Sequence, residues 1–338
     1  MIRGLYRMRL RLLALLCALA LPSAARAEPV VAVSGVPRDL AQTRDWDRIF
    51  ADLRANGVTA FFPTFQYVEQ PEAKSLGFET EFVPPCKPDA PAFAAMRRHG
   101  IRLLAPGGLL YPADAMPAAG EADPLRALIA CTGRDGIAGV VAYDEPPHQG
   151  VKLSASEALY RRVKAIDASL PVMMVHAPLV MDRPELQTRI GRKRYLDEVK
   201  AHGRFANMVG FDVYPIPQEL AQTALPALDV AQAGPAETVR AYADWVAREL
   251  PDKRRFMVLQ GFSYADQYDP AVVAGMKGSP ILDIVRPPTK AELRAMTDAA
   301  VAGGAEIVVF WGTSFIAKAE SPAWGDILAV SKAVAPPR

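Results

Sequence analysis

Residues 139–147 read GVVAYDEPP, so that a short apolar run passes directly into two adjacent acidic residues and then into two prolines. A continuous apolar run of this length is typical of a β-strand that is covered on both faces in a parallel sheet. In the simplest interpretation Asp144 caps a turn at the start of a solvated loop. Burying a carboxylate is costly unless the group is paired or used, however, so Asp144 and Glu145 are candidates for a function.

The same pattern of an apolar run, a loop and an amphipathic helix occurs eight times along the chain. The predicted strands are residues 30–34, 58–62, 101–105, 137–143, 172–176, 208–213, 256–260 and 307–311. Strands that alternate with helices favour a parallel sheet. Eight units without a leftover strand favour a closed (β/α)8 TIM barrel over an open sheet. GxGxxG and Walker A motifs are absent from the sequence, which removes the support for the main nucleotide-binding folds.

The connections between the predicted elements are asymmetric. Turns from a helix into the next strand are short, as at Asn56-Gly57 and His99-Gly100, whereas segments 64–88, 214–234 and 261–288, which leave strands, are long. In a barrel, all loops that leave strands lie at one face, and this face holds the active site in nearly every barrel enzyme. We therefore expect the polar residues at the strand ends to form one site.

The N-terminus is predicted to be a signal peptide. Residues 1–11 are basic, residues 12–21 are an apolar run, and Ala25-Arg26-Ala27 has the small-x-small form of a cleavage site. The apolar run is shorter than the about 20 residues that span a bilayer. The sequence thus predicts a signal peptide at 1–27, a single barrel domain of catalytic type at 28–338, a periplasmic or secreted protein, and no stable membrane anchor after cleavage.

The composition is that of an ordinary globular protein. The chain has 338 residues, 51% of them hydrophobic, with 39 Lys and Arg against 37 Asp and Glu. The first 27 residues carry five basic and no acidic side chains, so the remainder has a net charge of −3. This balance gives no signature of nucleic-acid binding. Cys86 and Cys131 remain after cleavage, and both a disulfide and two free thiols are open interpretations. The sequence does not indicate the oligomeric state.

Candidate site residues are the polar and aromatic side chains at the carboxyl ends of the predicted strands. They are Gln66 after the second strand, Asp144 and Glu145 after the fourth, His176 at the fifth, Asp212 and Tyr214 at the sixth, Gln260 at the seventh and Trp311 at the eighth. His176 is either a substrate contact or a hydrogen-bonded rim residue. Trp311 is either core or a wall on which a sugar ring stacks. A cleft of carboxylates and aromatic rings is typical of proteins that act on carbohydrates, and a carbohydrate is the expected partner.

The motifs VAYDEP at 141–146, GFDVYP at 210–215 and FWG at 310–312 resemble those of the (β/α)8 glycoside hydrolases whose acid/base glutamate ends strand 4. The resemblance covers most of the chain after residue 28. It implies an exported hydrolase of a polysaccharide or glycoconjugate, without a cofactor, in which Glu145 protonates the leaving glycosidic oxygen. Burial and a like-charged neighbour raise a carboxyl pKa, and Asp144 is placed to supply the second effect.

The sequence departs from this pattern at strand 7, where retaining enzymes of this type have a nucleophilic glutamate and this chain has Gln260. Asp212 could act as the second carboxylate, as base or nucleophile. Alternatively, Asp144 orients an acetamido group of the substrate while Glu145 protonates the leaving group. In a third interpretation the barrel binds sugar without cleaving it, with Gln260 as a ligand contact.

A metal-dependent isomerase or lyase is a further alternative. Glu145, His176 and Asp212 are residues of metal-ligand type at neighbouring strand ends. HExxH and paired CxxC spacings are absent from the sequence, and we expect no metal site.

Overall fold

A computed structural model describes residues 29–63, 81–117, 122–181, 183–221, 223–226, 234–268, 270–277 and 279–335 of the chain. Eight parallel strands close into a barrel, in which the first strand pairs with the last. The strands are β1 (Val30–Ser34), β2 (Ala60–Phe62), β3 (Arg102–Pro106), β4 (Ile137–Val141), β5 (Val172–His176), β6 (Met208–Val213), β7 (Arg254–Gln260) and β8 (Ala305–Trp311). This architecture confirms the predicted (β/α)8 fold class. The predicted signal peptide lies outside the described residues.

Eight principal helices follow the strands in turn. They are α1 (Trp46–Ala55), α2 (Pro91–His99), α3 (Pro124–Thr132), α4 (Leu153–Ile166), α5 (Arg189–Gly203), α6 (Pro235–Glu249), α7 (Lys290–Ala302) and α8 (Pro322–Val334). Shorter helices occupy Arg38–Thr43, Gly107–Leu110, Gln218–Ala221, Tyr264–Gln267 and Pro270–Lys277. In α1, Trp46, Ile49, Phe50 and Leu53 are buried, because residues at this spacing share one helical face. None of the helices in the described ranges is long and apolar enough to cross a membrane.

The strands separate two apolar layers. Side chains that point inward, such as Val141, Val175 and Val258, fill the barrel, whereas their sequence neighbours pack outward beneath the helices. This alternation follows from the pleat of a strand, in which successive side chains point to opposite faces. The position of a strand-end residue in this alternation decides whether its side chain reaches the centre of the barrel or the helical layer.

The fourth strand ends two residues earlier than predicted, at Val141. The backbone N–H of Ala142 still donates to Met173 O at 2.8 Å, and the chain leaves the sheet after this bond. Tyr143 thus belongs to the loop that carries Asp144 and Glu145, rather than to the strand.

Two further links fix the loops and helices. A short antiparallel ribbon pairs Leu179–Val180 with Thr223–Ala224, so that it joins the loops after β5 and β6. The Tyr242 hydroxyl of α6 supports the ribbon, since it donates to Ala224 O at 2.6 Å and accepts from Leu179 N at 2.7 Å. Cys86 and Cys131 form a disulfide, which connects the segment before α2 to α3 and decides between the two open interpretations of these thiols.

Candidate active site

A cavity of about 930 Å³ opens at the carboxyl ends of the strands. Its volume lies in the range of about 300–1,000 Å³ that is typical of small-molecule sites. The acidic side chains that line it are Asp144, Glu145 and Asp212, and the aromatic ones are Tyr214, Phe262, Tyr264, Tyr268, Trp311 and Phe315. Acidic residues from the ends of β4 and β6 thus face aromatic residues from the loops after β6, β7 and β8.

Glu145 has an unusual backbone conformation. Its φ is +41°, in the left-handed region that non-glycine residues rarely adopt. Its carbonyl oxygen accepts a hydrogen bond from Gln149 N at 2.9 Å, which closes a tight turn directly after β4. This conformation costs about 1–2 kcal/mol in an L-residue. Backbone strain of this kind concentrates at functional sites, where the surrounding structure holds it in place.

Glu145 and Asp212 are a pair of neighbouring carboxyl groups in the cavity wall, close enough for Glu145 to act on the pKa of Asp212. Asp212 occupies an inward position near the end of β6 and is only 5% exposed. Burial is the main cause that raises the pKa of Asp212 well above its usual value, and the negative charge of Glu145 raises it further. The surroundings of Asp212 thus favour its protonated form.

Asp144 is exposed to solvent in the open cavity, whereas Glu145 is half-buried and Asp212 is buried. Enclosure by the protein, followed by the charge of Glu145, raises the pKa of Asp144 to about 7. Water in the cavity screens part of this effect, so we draw no stability from it. The shift brings Asp144 close to the range in which a carboxyl group exchanges protons at neutral pH.

Beneath the acids, the cavity narrows to a recess of about 20 Å³. Asp144 and Asp212 border it, and the rest of its wall is mostly the apolar interior of the barrel, including Val141, Val175 and Val258. The acids thus sit where the polar cavity meets the barrel core. This apolar floor is the physical reason for the raised pKa values, because it penalises the charged forms of the carboxyl groups.

Tyr214 and Trp311 line the cavity. Trp311 ends β8 at an inward position and lies 6.1 Å from the Phe62 ring, measured between ring centroids. The Tyr214 ring packs edge-on against Phe262 with centroids 5.3 Å apart. Trp311 therefore combines the two interpretations given above, since one part of its ring packs on the barrel and the other faces the cavity.

Gln260, which one sequence interpretation made a ligand contact, is not among the residues that line the cavity. Its side chain is fully buried, and its oxygen accepts from Ile216 N at 2.9 Å. Its amide nitrogen donates to Ile216 O at 2.7 Å and to Phe262 O at 3.0 Å. The amide thus joins the loops after β6 and β7, and both of its polar atoms are already engaged with the backbone.

His176 also lies away from the cavity, contrary to expectation. It occupies an outward position at the end of β5, where its fully buried ring packs near Phe211 beneath the helices. Burial lowers the pKa of His176 to about 3, so the ring is neutral. The three residues considered as metal ligands are therefore not brought together. Within the described ranges, no group of three His, Cys, Asp or Glu side chains is arranged to hold a metal. Gln66 lies outside the described residues.

Five polar residues of the cavity lining were not predicted from the sequence, namely His148, Gln149, Arg183, Thr223 and Gln267. The first two follow Glu145 within a single turn, and this short spacing was the available signal. Arg183 comes from the loop after β5, and its approach depends on loop geometry that has no local sequence pattern.

Comparison with known proteins gives a likeness of fold. No family model matches the chain, and no curated protein matches it. A candidate α-L-fucosidase from Bacteroides thetaiotaomicron is 9% identical, with a TM-score of 0.52 over 93% of this chain and 97% of that one. A β-galactosidase from Marinomonas ef1 is 10% identical, with a TM-score of 0.52 over 90% of this chain and 59% of that one. An endo-β-1,4-mannanase from Thermotoga petrophila is 9% identical, with a TM-score of 0.50 over 92% and 77%.

The three similar structures are glycosidases by name, and they share the barrel with this chain. The resemblance to barrel glycoside hydrolases that the sequence motifs indicated is therefore confirmed as a resemblance of fold. At 9–10% identity it identifies no particular family.

Proposed function

We propose that this protein is an exported glycoside hydrolase in which Glu145 is the general acid. The observation that carries the proposal is the meeting of three carboxyl groups, Asp144, Glu145 and Asp212, in an aromatic-lined cavity of about 930 Å³. Glycoside hydrolysis uses a carboxyl group as the proton donor to the leaving oxygen. The glycosidase fold of the similar structures is consistent with this chemistry.

The two members of the carboxyl pair have different access to a substrate. The Glu145 side chain is 16% exposed and faces the cavity, whereas Asp212 lies beneath it as a residue only 5% exposed. We assign proton transfer to the glycosidic oxygen to Glu145, because it is the member that a sugar can reach.

The adjacent pair Asp144-Glu145 bears on the second half of the reaction. Substrate assistance uses such a pair and needs no carboxylate at the seventh strand, where this chain has Gln260. This pattern favours substrate assistance over Asp212 acting as the nucleophile or base.

In the assisted reaction, the acetamide oxygen of the substrate attacks the anomeric carbon. The glycosidic C–O bond breaks, and the leaving oxygen takes the proton from Glu145. Asp144 holds the acetamide N–H, for which its ionised form is the acceptor. Water then opens the cyclic intermediate and returns a proton to Glu145. Substrate assistance is a known exception to the use of two protein carboxylates at the anomeric carbon.

Export is part of the proposal. The basic and apolar segments and the Ala25-Arg26-Ala27 site support a cleaved signal peptide at residues 1–27. The disulfide between Cys86 and Cys131 adds support, because disulfides persist in oxidising compartments.

The test is a hydrolysis screen on glycans with and without N-acetyl groups. We expect turnover by the wild type on N-acetylated substrates, and a loss of at least about 10²-fold in Glu145→Gln. Asp144→Asn should slow cleavage of the N-acetylated substrates. Glu320→Gln, which changes an exposed acid outside the cavity lining, is the matched control and should retain activity.

Full activity of Glu145→Gln would refute the assignment of the acid. Efficient cleavage of plain glucans would refute the assisted route while it leaves the glycosidase proposal standing. Circular dichroism of each variant verifies that the fold is intact.

A second candidate function, sugar binding without cleavage, is favoured by one observation. β7 ends in the amide of Gln260 instead of a carboxylate, and this amide is occupied by backbone groups. Calorimetric binding of glycans from the same panel, without turnover of any of them, would establish this function instead.

A further inference from the structure

A series of polar contacts runs across two loops to the carboxylate of Glu145. Arg183 Nη1 lies 2.6 Å from His148 Nδ1, and Arg183 Nε lies 2.8 Å from Glu185 Oε1. On its other side, His148 Nε2 lies 3.9 Å from Glu145 Oε2. Arg183, His148 and Glu145 all line the cavity. The loop after β5 thereby contacts the acid that follows β4 through a single imidazole ring.

The chemistry of arginine fixes the direction of these contacts. A guanidinium group has only donors, so the Nδ1 atom of His148 must accept the hydrogen bond. The ring proton is then on Nε2, and the ring is neutral. This tautomer directs an N–H at Glu145 Oε2, the same oxygen to which Gln149 Nε2 donates at 3.3 Å. The opposite tautomer would present a lone pair to the carboxylate and repel it.

We propose that Arg183 and His148 are positioning residues for Glu145: Arg183 fixes the tautomer of His148, whose Nε2–H stabilises the carboxylate that forms when Glu145 gives up its proton. The catalytic part of this inference rests on the proposed function. The tautomer of His148 follows from the contact with Arg183 alone.

The charge environment of Glu145 gives the reason for such an arrangement. The titratable and charged groups that face this carboxyl are Asp144 on its own loop, Asp212 and Tyr214 from β6 and its loop, Tyr195 from α5, and His148 and Arg183. Asp144 and Asp212 both oppose a negative charge on Glu145. The Tyr195 hydroxyl donates to Ala177 O at 2.8 Å and is not available to Glu145. His148 and Gln149 therefore supply the N–H donors.

A preorganised donor at the atom where negative charge develops lowers the barrier of the proton transfer. The distance of 3.9 Å is longer than a hydrogen bond, and contacts of this kind in a free enzyme shorten when the substrate is bound. The Glu185 carboxylate holds the guanidinium in orientation from its far side. The arrangement needs no charge on the imidazole, since Arg183 excludes a proton from Nδ1.

The first test does not depend on activity. Long-range ¹H–¹⁵N spectra of the full-length protein with ¹⁵N-labelled histidine report the tautomer of each ring, and a His148→Gln variant assigns the signal. We expect the neutral Nε2–H form of His148 in the wild type at neutral pH. In Arg183→Met, Nδ1 is released, and a mixture of the two neutral tautomers should appear. An Nδ1–H or imidazolium form in the wild type, or an unchanged tautomer in Arg183→Met, would overturn the inference.

The second test uses kinetics on a substrate found by the screen. In Arg183→Met we expect kcat to fall roughly tenfold with little change in KM, less than the loss of about 10²-fold or more for removal of the acid itself. The basic limb of the kcat profile, where the carboxyl pair loses its proton, should move to higher pH. Arg183→Lys, which keeps a donor and a charge, should restore part of kcat. Arg194→Met is the matched control, because Arg194 is 81% exposed on α5 and pairs with Glu198.

The outcomes separate the two proposals. Absence of turnover by the wild type on every glycan refutes the glycosidase function, whereas the His148 tautomer is still tested independently by the spectra. Turnover with a basic limb that stays in place in Arg183→Met shows that Arg183 has a structural role only.

Discussion

Replacement of Asp212 by Asn should make the protein more stable at neutral pH and change the pH dependence of its stability. The Asp212 carboxyl is 5% exposed, and its pKa is raised well above the ordinary value of 3.8 by burial and by the neighbouring carboxyl groups. The folded protein therefore keeps a proton at pH values at which the unfolded chain has lost it. Asn has nearly the same shape and can donate to Glu145, but it binds no proton in either state.

The sign and the size follow from linkage. A raised carboxyl pKa contributes stability that is complete below the unfolded pKa and is lost as the pH rises toward the folded pKa. Within this window the free energy of unfolding of the wild type falls relative to that of Asp212→Asn as the pH rises, by up to about 1.4 kcal/mol per pH unit. The variant should therefore gain stability on the wild type as the pH rises above about 4.

The assay is equilibrium unfolding in urea at a series of pH values, with the wild type, Asp212→Asn and Glu320→Gln compared at equal ionic strength. Glu320→Gln removes an acid that is exposed to solvent and serves as the control. The two stability curves of wild type and Asp212→Asn should converge near pH 4 and separate steadily above it. Parallel curves from about pH 5 to pH 7 would show that the pKa of Asp212 is not raised well above its usual value in the folded protein, and would refute the reasoning.

Three further results are expected. The double variant Cys86→Ser/Cys131→Ser removes a covalent link between residues 45 positions apart. By the chain-entropy relation, its free energy of unfolding in urea denaturation should be about 4 kcal/mol lower than that of the wild type. Gln260→Glu should be destabilised by about 1–3 kcal/mol at neutral pH, and by less near pH 4, because a carboxylate cannot donate to Ile216 O. The substitution should also not create a hydrolase that uses a strand-7 nucleophile. The free energy of unfolding of Glu145→Gly should exceed that of Glu145→Ala by about 1 kcal/mol, because glycine tolerates the φ of +41°. Equal stability of the two variants would contradict strain at this position.

The eight strand–helix units could be predicted from the sequence because their signals are local. Each strand is a continuous apolar run, and each helix carries an apolar stripe, as in Trp46, Ile49, Phe50 and Leu53. The asymmetry of the connections showed which face of the barrel holds the long loops. The same local patterns placed Asp144, Glu145 and Asp212 at strand ends on that face, where the structure brings them into one cavity.

The direction of individual strand-end side chains was not available from the sequence. A barrel strand is apolar on both faces, so its sequence has no polar alternation to show which residues point inward. His176 and Asp212 both lie at or near the ends of apolar runs. The His176 ring is buried beneath the helices, whereas the Asp212 side chain reaches the cavity. A shift of one residue in the alternation decides between these outcomes.

The sequence by itself determined that this chain forms a barrel of eight units with acids at the ends of two strands, because apolar periodicity and turn residues act over a few positions. The tertiary structure decided the disulfide, the backbone contacts that occupy Gln260, the meeting of Glu145 with Asp212 in one cavity, and the approach of Arg183 to His148. These contacts join loops far apart in the chain, and their geometry depends on how the whole barrel closes.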